Sequence, residues 1–346
     1  VAITSPAIGS TVAGTAAVQI TAQDTAGIAS VEVYARGKGS TEQGVRVGSA
    51  VGQGPYVVTW NTSTQPNVAE LELIAVAIDT TGNKGESTPV LVKTQNSGVP
   101  NLKLLAAYTV PPKPAASSLE ASALPEHVLA QDVLPPLNVS MNQAVSLEAQ
   151  ADEERSYILE WQWYTFSGAE GYGVYNSKSD LAGPYELMIR QSGTSGSGTQ
   201  RFSREITDAQ PGSDYFGAVT SISNNATSET GFSNGDKTVF LPAQVSVSPP
   251  EGSSVSGGRP AFTWSKTNGA VGYLVYIYNK NPWDKDATLI WSNFPQSTAS
   301  QSISYPASRE ELAAGTYYWW VAGVSFDNNG KADGFTFSDP LTFKVP

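Results

Sequence analysis

Apolar and polar residues alternate in short runs through the first part of the chain. Ala17-Val-Gln-Ile-Thr-Ala22 and Ser30-Val-Glu-Val-Tyr34 have period two, so each run puts one row of side chains on either face of a half-buried strand. Tyr56-Val-Val-Thr-Trp60 and Leu71 to Ile78 continue the pattern, and the turn Thr81-Gly82-Asn83 leads into Pro89-Val-Leu-Val92. Short strands at this spacing predict a β-sandwich or barrel over residues 1–94.

Further on, a longer phrase recurs. Trp163, Gly168-Ala169, Gly171-Tyr172 and Val174-Tyr175 match Trp264, Gly269-Ala270, Gly272-Tyr273 and Val275-Tyr276 at an offset of 264 − 163 = 101. Pro211-Gly212-Ser-Asp-Tyr215 and Ala314-Gly315-Thr-Tyr-Tyr318 match at an offset of 103. A period of domain length means tandem copies of one small domain, here residues 150–242 and 243–346. A 346-residue chain has room for three such domains. Residues 95–149 break the pattern. Pro111-Pro112-Lys-Pro114 and Pro135-Pro136 interrupt any regular element, and Ser117 to Leu134 is rich in Ala, Leu, Ser and Glu. This stretch is expected to be a Pro-rich linker or insertion with an elaborated first strand, joined to the second domain through Ala144–Glu148.

Residues 1–94 resemble the bacterial Ig-like domains of exported proteins. The likeness rests on Ile3-Thr-Ser-Pro6 with Gly9-Ser-Thr-Val12, on Ala29 to Tyr34, and on Ala75-Val-Ala-Ile-Asp79 with Gly82-Asn83. The two later copies resemble fibronectin type III domains. They share a strand-B tryptophan (Trp163, Trp264), a strand-C Tyr-x-Val (Tyr172, Val174; Tyr273, Val275) and a Gly-x-x-Tyr before strand F (Gly212 to Tyr215; Gly315 to Tyr318). The resemblance implies that Tyr215 and Tyr318 form tyrosine corners. One core position differs, with Ala209 in one copy and Leu312 in the other, and the short Leu241-Pro242 junction predicts a restricted geometry. The expected fold class is all-β, in tandem Ig-like and fibronectin III-like sandwiches.

Composition narrows the function. The chain has no cysteine, which excludes disulfides, thiolate metal sites and a cysteine nucleophile. Its net charge of −11 and its scattered Lys and Arg argue against nucleic acid and against an anionic membrane surface. No apolar run approaches the ~20 residues of a membrane helix. No signal peptide precedes Val1. With the resemblance to exported proteins, the expectation is an exported extracellular or cell-surface protein with Val1 as a processed start.

Catalytic groupings are sparse. The single histidine, His127, lies in the Pro-rich stretch without a nucleophile elbow or an α/β pattern around it. Asp152-Glu153-Glu154 and Glu310-Glu311 are adjacent charges rather than carboxyls set across a cleft. Ser192 to Thr199 is Gly/Ser-rich but lacks the Lys-Ser/Thr of a phosphate loop, and is read as a C′–E loop. Asp327-Asn-Asn-Gly-Lys-Ala-Asp333 and Asp79 with Asn83 look like calcium loops. Asn-Gly and Gly-Asn also suit plain hairpins, and Lys331 stands where an oxygen ligand is wanted. No cofactor, no metal and no enzymatic activity are expected.

Aromatic residues stand out in the third domain. If Tyr273, Val275 and Ile277 point inward with Tyr318, Trp320, Ala322 and Val324, then Tyr276, Tyr278 and Trp319 point outward, flanked by Trp283 and Trp291. Such a patch has three readings: packing against domain two or the linker, a protein–protein surface, or a platform for sugar rings beside Asn279, Asn281 and Asp284. The expected function is a non-catalytic structural or interaction protein of a surface layer, pilus, adhesin or envelope complex, whose partners are other surface proteins or further copies of itself. The rival is a carbohydrate-binding accessory region with glycan as ligand.

Overall fold

The structure, a computed structural model, describes residues 1–67, 69–96, 99–112, 155–165, 169–193, 198–223, 228–294, 301–327 and 330–346. These residues form strands, loops and short 3₁₀ turns at Thr62–Thr64 and Ser256–Gly258, with no α-helix among them. The chain is all-β, as its alternation predicts.

The first domain contains β1 (Ala2–Ser5), β2 (Ser10–Val12), β3 (Thr15–Thr21), β4 (Ile28–Gly37), β5 (Val45–Val51), β6 (Tyr56–Asn61), β7 (Glu70–Asp79), β8 (Lys84–Glu86) and β9 (Val90–Thr94). Sheet β1-β3-β6 faces sheet β2-β9-β7-β4-β5, with β8 on β7. Their inward rows form one core: Val18, Ile20, Tyr56, Val58 and Trp60 meet Val31, Val33, Leu71, Leu73 and Val92. Val57, between two core residues of β6, is exposed. A one-residue slip would exchange the two rows, so the alternation itself sets the register.

The middle region contains β10 (Asn101–Val110), β11 (Ser156–Thr165), β12 (Gly171–Ser177), β13 (Glu186–Ser192), β14 (Gly198–Glu205), β15 (Asp214–Ser223), β16 (Ser228–Glu229) and β17 (Asp236–Val239). The last region contains β18 (Ser246–Ser248), β19 (Ser253–Ser254), β20 (Ala261–Trp264), β21 (Gly272–Tyr278), β22 (Leu289–Asn293), β23 (Ser302–Ser304), β24 (Gly315–Phe326), β25 (Ala332–Phe337) and β26 (Leu341–Val345). Within the stretch expected as linker, β10 is a strand, buried from Leu104 to Val110. Ser117–Leu134, with His127, and Ala144–Glu148 lie outside the described residues, as do Asp152-Glu153-Glu154 and residues 194–197 of the Gly/Ser run.

By compactness the chain divides into two units. The first comprises Val1–Leu105, Trp161–Phe202 and Asp214–Lys237, and the second Ala106–Glu160, Ser203–Ser213 and Thr238–Pro346. In the first unit, sheet β13-β12-β15-β16 is joined to the Ig-like domain by polar contacts. The buried Asp180 accepts hydrogen bonds through Oδ1 from Gly37 N (2.5 Å) and Ala182 N (2.7 Å). Phe232 N donates to Ser63 O (3.2 Å) and Asn67 N to Ser233 O (2.7 Å). Gly231 permits this approach, because a Cβ there would lie 2.8 Å from Ser63 O. Leu181 and Ala182 complete the Ig-like core.

In the second unit, sheet β18-β20-β23 packs on a sheet that includes β25-β24-β21-β22 in that order. Strand β10 runs parallel to β25, with Tyr108 opposite Phe335. The short junction is tied on both sides. Thr109 Oγ1 donates to Leu241 O and Thr336 Oγ1 to Pro242 O, each at 2.7 Å.

Strands β5, β13 and β22 each end a sheet, and each carries one irregularity against its neighbour. The pairing skips Val47, Met188 and Ile290 respectively. A bulge on an edge strand twists it away from any further strand, which guards the edge against pairing with another chain.

Candidate functional site

The repeated phrase is a packing device. Trp163 lies 5.5 Å from Tyr172 at 54° between ring planes, and Trp264 lies 5.5 Å from Tyr273 at 50°. All four rings are buried, as are Val174 and Val275. Ala209 and Leu312 are buried too, so the position at which the copies differ is a core position in both.

Strand F departs from expectation by one residue. Val174 pairs with Val219 and Val275 with Val321, so the offset between copies is 102 here rather than 103. The equivalent of Tyr215 is therefore Tyr317. Tyr317 Oη donates to Ala313 O at 3.0 Å, which is the tyrosine corner expected at Tyr318. The same shift reverses the faces of β24. Trp319 and Val321, not Trp320 and Ala322, enter the core with Tyr273, Val275 and Ile277.

This corrects the expected exposed patch: Tyr276, Tyr278, Trp283, Trp291 and Trp319 are all buried. Trp319 packs 4.9 Å from Phe262, and its Nε1 donates to Pro249 O at 3.1 Å. Trp291 lies in the same core, 5.5 Å from Tyr305 and 6.1 Å from Phe262. Tyr276, Tyr278 and Trp283 belong to the opposite face, where they form a second aromatic layer with Trp320 and Phe337. Tyr276 stacks on Tyr278 at 6.2 Å, Trp320 meets Tyr278 and Trp283 edge-on at 6.4 and 6.1 Å, and Phe337 lies 5.0 Å from Trp320. Farther along this sheet Tyr108 stacks on Phe335 at 5.1 Å. Strand β21 and the stretch of β24 from Trp319 onward are therefore buried on both faces, which leaves no outward row for these residues to occupy. Burial pushes the Tyr276 and Tyr278 hydroxyls well above the ordinary phenol range.

The two calcium-like loops are matching hairpins. Asp79 N donates to Asn83 O (3.0 Å) and Asp327 N to Lys331 O (2.8 Å), while Gly82 and Gly330 take positive φ of 91° and 77°. Asp79 Oδ1 accepts from Thr81 N (2.8 Å), Thr81 Oγ1 (2.8 Å) and Asn83 N (2.9 Å), and Oδ2 accepts from Asn83 Nδ2 (2.8 Å). The Asn83 and Thr81 side chains lead in holding this carboxyl down at about 2. Asp327 Oδ1 accepts from Lys331 N at 2.8 Å, the bond that Asn83 N makes in the first domain. Asp333 Oδ1 accepts from Ser325 Oγ at 3.0 Å. Among the described residues, no group of three or more His, Cys, Asp or Glu is placed to hold a metal ion.

One polar cluster escaped the sequence reading. Glu229 Oε1 accepts from Tyr175 Oη and Thr220 Oγ1, each at 2.6 Å, and Glu229 Oε2 pairs with Arg190 Nη2 at 2.9 Å. Burial raises the Tyr175 hydroxyl to about 12, with help from Glu229. For Glu229, burial acts upward, yet the Thr220, Tyr175 and Arg190 bonds outweigh it and hold the carboxyl below its ordinary value. Only the parity of Tyr175, opposite to Val174, hinted at this face. Glu229 and Arg190 lie 39 residues apart and meet through sheet pairing alone.

Comparison with known proteins places the first domain. Residues 1–86 match the family model described as bacterial Ig domain. Among solved structures, the FN1–FN3 domains of chicken CNTN1 align over 97% of this chain and 98% of theirs, at 12% identity and a TM-score of 0.30. Fibronectin(III)-like modules of Clostridium thermocellum CbhA align over 68% of this chain and 90% of theirs, at 13% identity and a TM-score of 0.22. No curated protein matches. The first domain thus matches the bacterial Ig family over residues 1–86, at the head of a chain whose described residues are all-β.

Proposed function

We propose that the protein is a non-catalytic, extracellular or cell-surface structural protein that acts through protein–protein contacts in a surface assembly. Its Ig-like and fibronectin III-like domains make it an interaction module of a kind typical of extracellular proteins, and such folds are typically non-catalytic. No helix among the described residues is long and apolar enough to cross a membrane. The observation that carries the reading is the stapling of the junctions. Asp180, in the loop after β12, is buried against the end of β4, and within the second unit Leu241 and Pro242 are held by Thr109 and Thr336. A buried side chain that fixes the Ig-like sandwich against the neighbouring sheet suits a scaffold better than a tethered enzyme. The bulged edges favour contacts through side chains rather than through added strands.

The test is fractionation of the native cells. The chain should partition with the envelope or the medium, be cleaved by protease added to intact cells, and sediment within a complex larger than the monomer. A chain that is protected inside intact cells, or that sediments from them as a monomer, contradicts the reading. The rival, an accessory glycan-binding region, predicts retention on insoluble polysaccharide.

A further inference from the structure

Just before its Gly-Ala step, the repeated phrase has Ser167 in one copy and Asn268 in the other. Asn268 is therefore followed by Gly269, and an Asn-Gly pair carries its own chemistry. The side-chain amide carbon lies within reach of the next main-chain nitrogen, and glycine has no Cβ to shield that nitrogen.

The turn between β20 and β21 leaves this pair open. Ala270 N donates to Thr267 O (3.2 Å), which closes a four-residue turn with Gly269 third, at a φ of 81°. Asn268 is exposed. Among the described residues, no hydrogen bond engages the Asn268 side chain or the Gly269 N–H. The residue before is fixed. Thr267 is buried, its N donates to Tyr273 Oη (2.9 Å), and its Oγ1 donates to Gln244 Oε1.

Asn234-Gly235 is the counter-case. Asn234 Oδ1 accepts from Leu102 N (2.8 Å) and its Nδ2 donates to Leu102 O (2.9 Å), so both ends of that amide are held. In a third pair, Asn329-Gly330, the asparagine lies outside the described residues.

We propose that Asn268 is a site of spontaneous covalent modification by water, which converts it through a succinimide to aspartate and isoaspartate. The Gly269 nitrogen attacks Asn268 Cγ and gives up its proton to solvent. The new C–N bond closes the succinimide ring, and the side-chain nitrogen leaves as ammonia. Water then opens the ring. Opening at Cγ gives aspartate on an unaltered main chain. Opening at the Asn268 main-chain carbonyl gives isoaspartate, with the chain rerouted through the side chain and one carbon longer. Either product adds a negative charge. The extra carbon of isoaspartate sits next to Thr267, so it strains the bond from Thr267 N to the phrase's core tyrosine, Tyr273. Aspartate does not. This inference does not depend on the protein–protein reading, since the residues involved contribute nothing to that argument.

Peptide mapping by mass spectrometry tests it on the intact chain, aged warm in mildly alkaline buffer. In the folded chain Asn268 should convert about tenfold faster than Asn234, or more, because the Asn234 amide must first break two hydrogen bonds. In urea the two sites should convert at similar rates, since the sequence Asn-Gly is then all that acts. Both products should form at Asn268, and the isoaspartate fraction should melt below Asn268→Asp, which should melt as the parent does. An unconverted Asn268 in the folded chain overturns the proposal. So do equal rates at Asn234 and Asn268 in the folded chain, or a difference between them that persists in urea. An isoaspartate fraction that melts as the parent does overturns the strain at Thr267.

Discussion

The two copies of the repeated phrase use the same Trp–Tyr pair on one face of the sheet that carries β12 or β21 and opposite chemistry on the other. In the middle copy the outer face carries Gly173, Tyr175, Ala218 and Thr220, and Tyr175 and Thr220 both bond to Glu229. A Cβ at Gly173 would come within 2.7 Å of Glu229 Oε1, so this glycine makes room for the carboxylate. In the third copy the corresponding positions are Leu274, Tyr276, Trp320 and Ala322, all fully buried. The shared residues encode the sandwich. The unshared ones decide whether its second face is a half-exposed polar network or a second core. Aromatic enrichment in one copy therefore reports extra burial, not an exposed binding platform.

The largest test of that contrast is truncation on both faces of β24. Trp320→Ala should cost about 3–5 kcal/mol, as much as Trp319→Ala, because each empties a fully buried site. Tyr175→Ala on the middle copy should cost less, since that ring is only half-buried. Urea unfolding of the three variants measures the difference. A small loss for Trp320→Ala beside a large one for Trp319→Ala would restore the simple one-core sandwich.

A smaller effect separates adjacent tyrosines. Tyr317→Phe should lose about 1 kcal/mol with its corner hydrogen bond, while Tyr318→Phe should stay within about 0.5 kcal/mol of the parent. Equal losses would contradict the 102-residue register.

The hairpin carboxylates give a pH signature. The Asp79 carboxyl sits at about 2, below its ordinary 3.8. Its contribution is thus fully present above the unfolded value and is lost as pH falls through about 2. The melting temperature should fall between pH 4 and pH 2, and Asp79→Ala should flatten that part of the curve. An Asp79 carbon titration centred near 3.8 would remove the basis of the effect. The smallest change concerns Glu229. Glu229→Gln should bring the Tyr175 hydroxyl down from about 12, read by tyrosine ¹³C NMR, because burial alone would remain to raise it.

Much of the architecture was legible in the chain. Period-two alternation marked β3, β4, β6 and β7, and the Trp163/Trp264 phrase located the two copies. The candidate site was not legible, for a definite reason. Strand faces follow parity, and Tyr317-Tyr318-Trp319-Trp320 offers an aromatic residue to either face under either register. The Gly-x-x-Tyr landmark favoured Tyr318, and only the pairing of β21 with β24 settles on Tyr317. Nor could sequence show that the far face is covered. Alternation assumes one wet face, and residues on a doubly buried sheet look like a surface patch to that rule. Asp180 was equally silent, because its role arises from a contact between segments far apart in sequence.

Oxidative footprinting of the intact chain, read by mass spectrometry, tests the doubly buried sheet most directly. Tyr164, the exposed aromatic on β11, is the internal positive control. Tyr164 should be labelled readily, while Tyr276, Tyr278, Trp283, Trp291, Trp319 and Trp320 stay protected until the protein unfolds. Labelling of Tyr276, Tyr278 and Trp283 at rates near that of Tyr164 in the folded chain would show an open aromatic face and contradict the account.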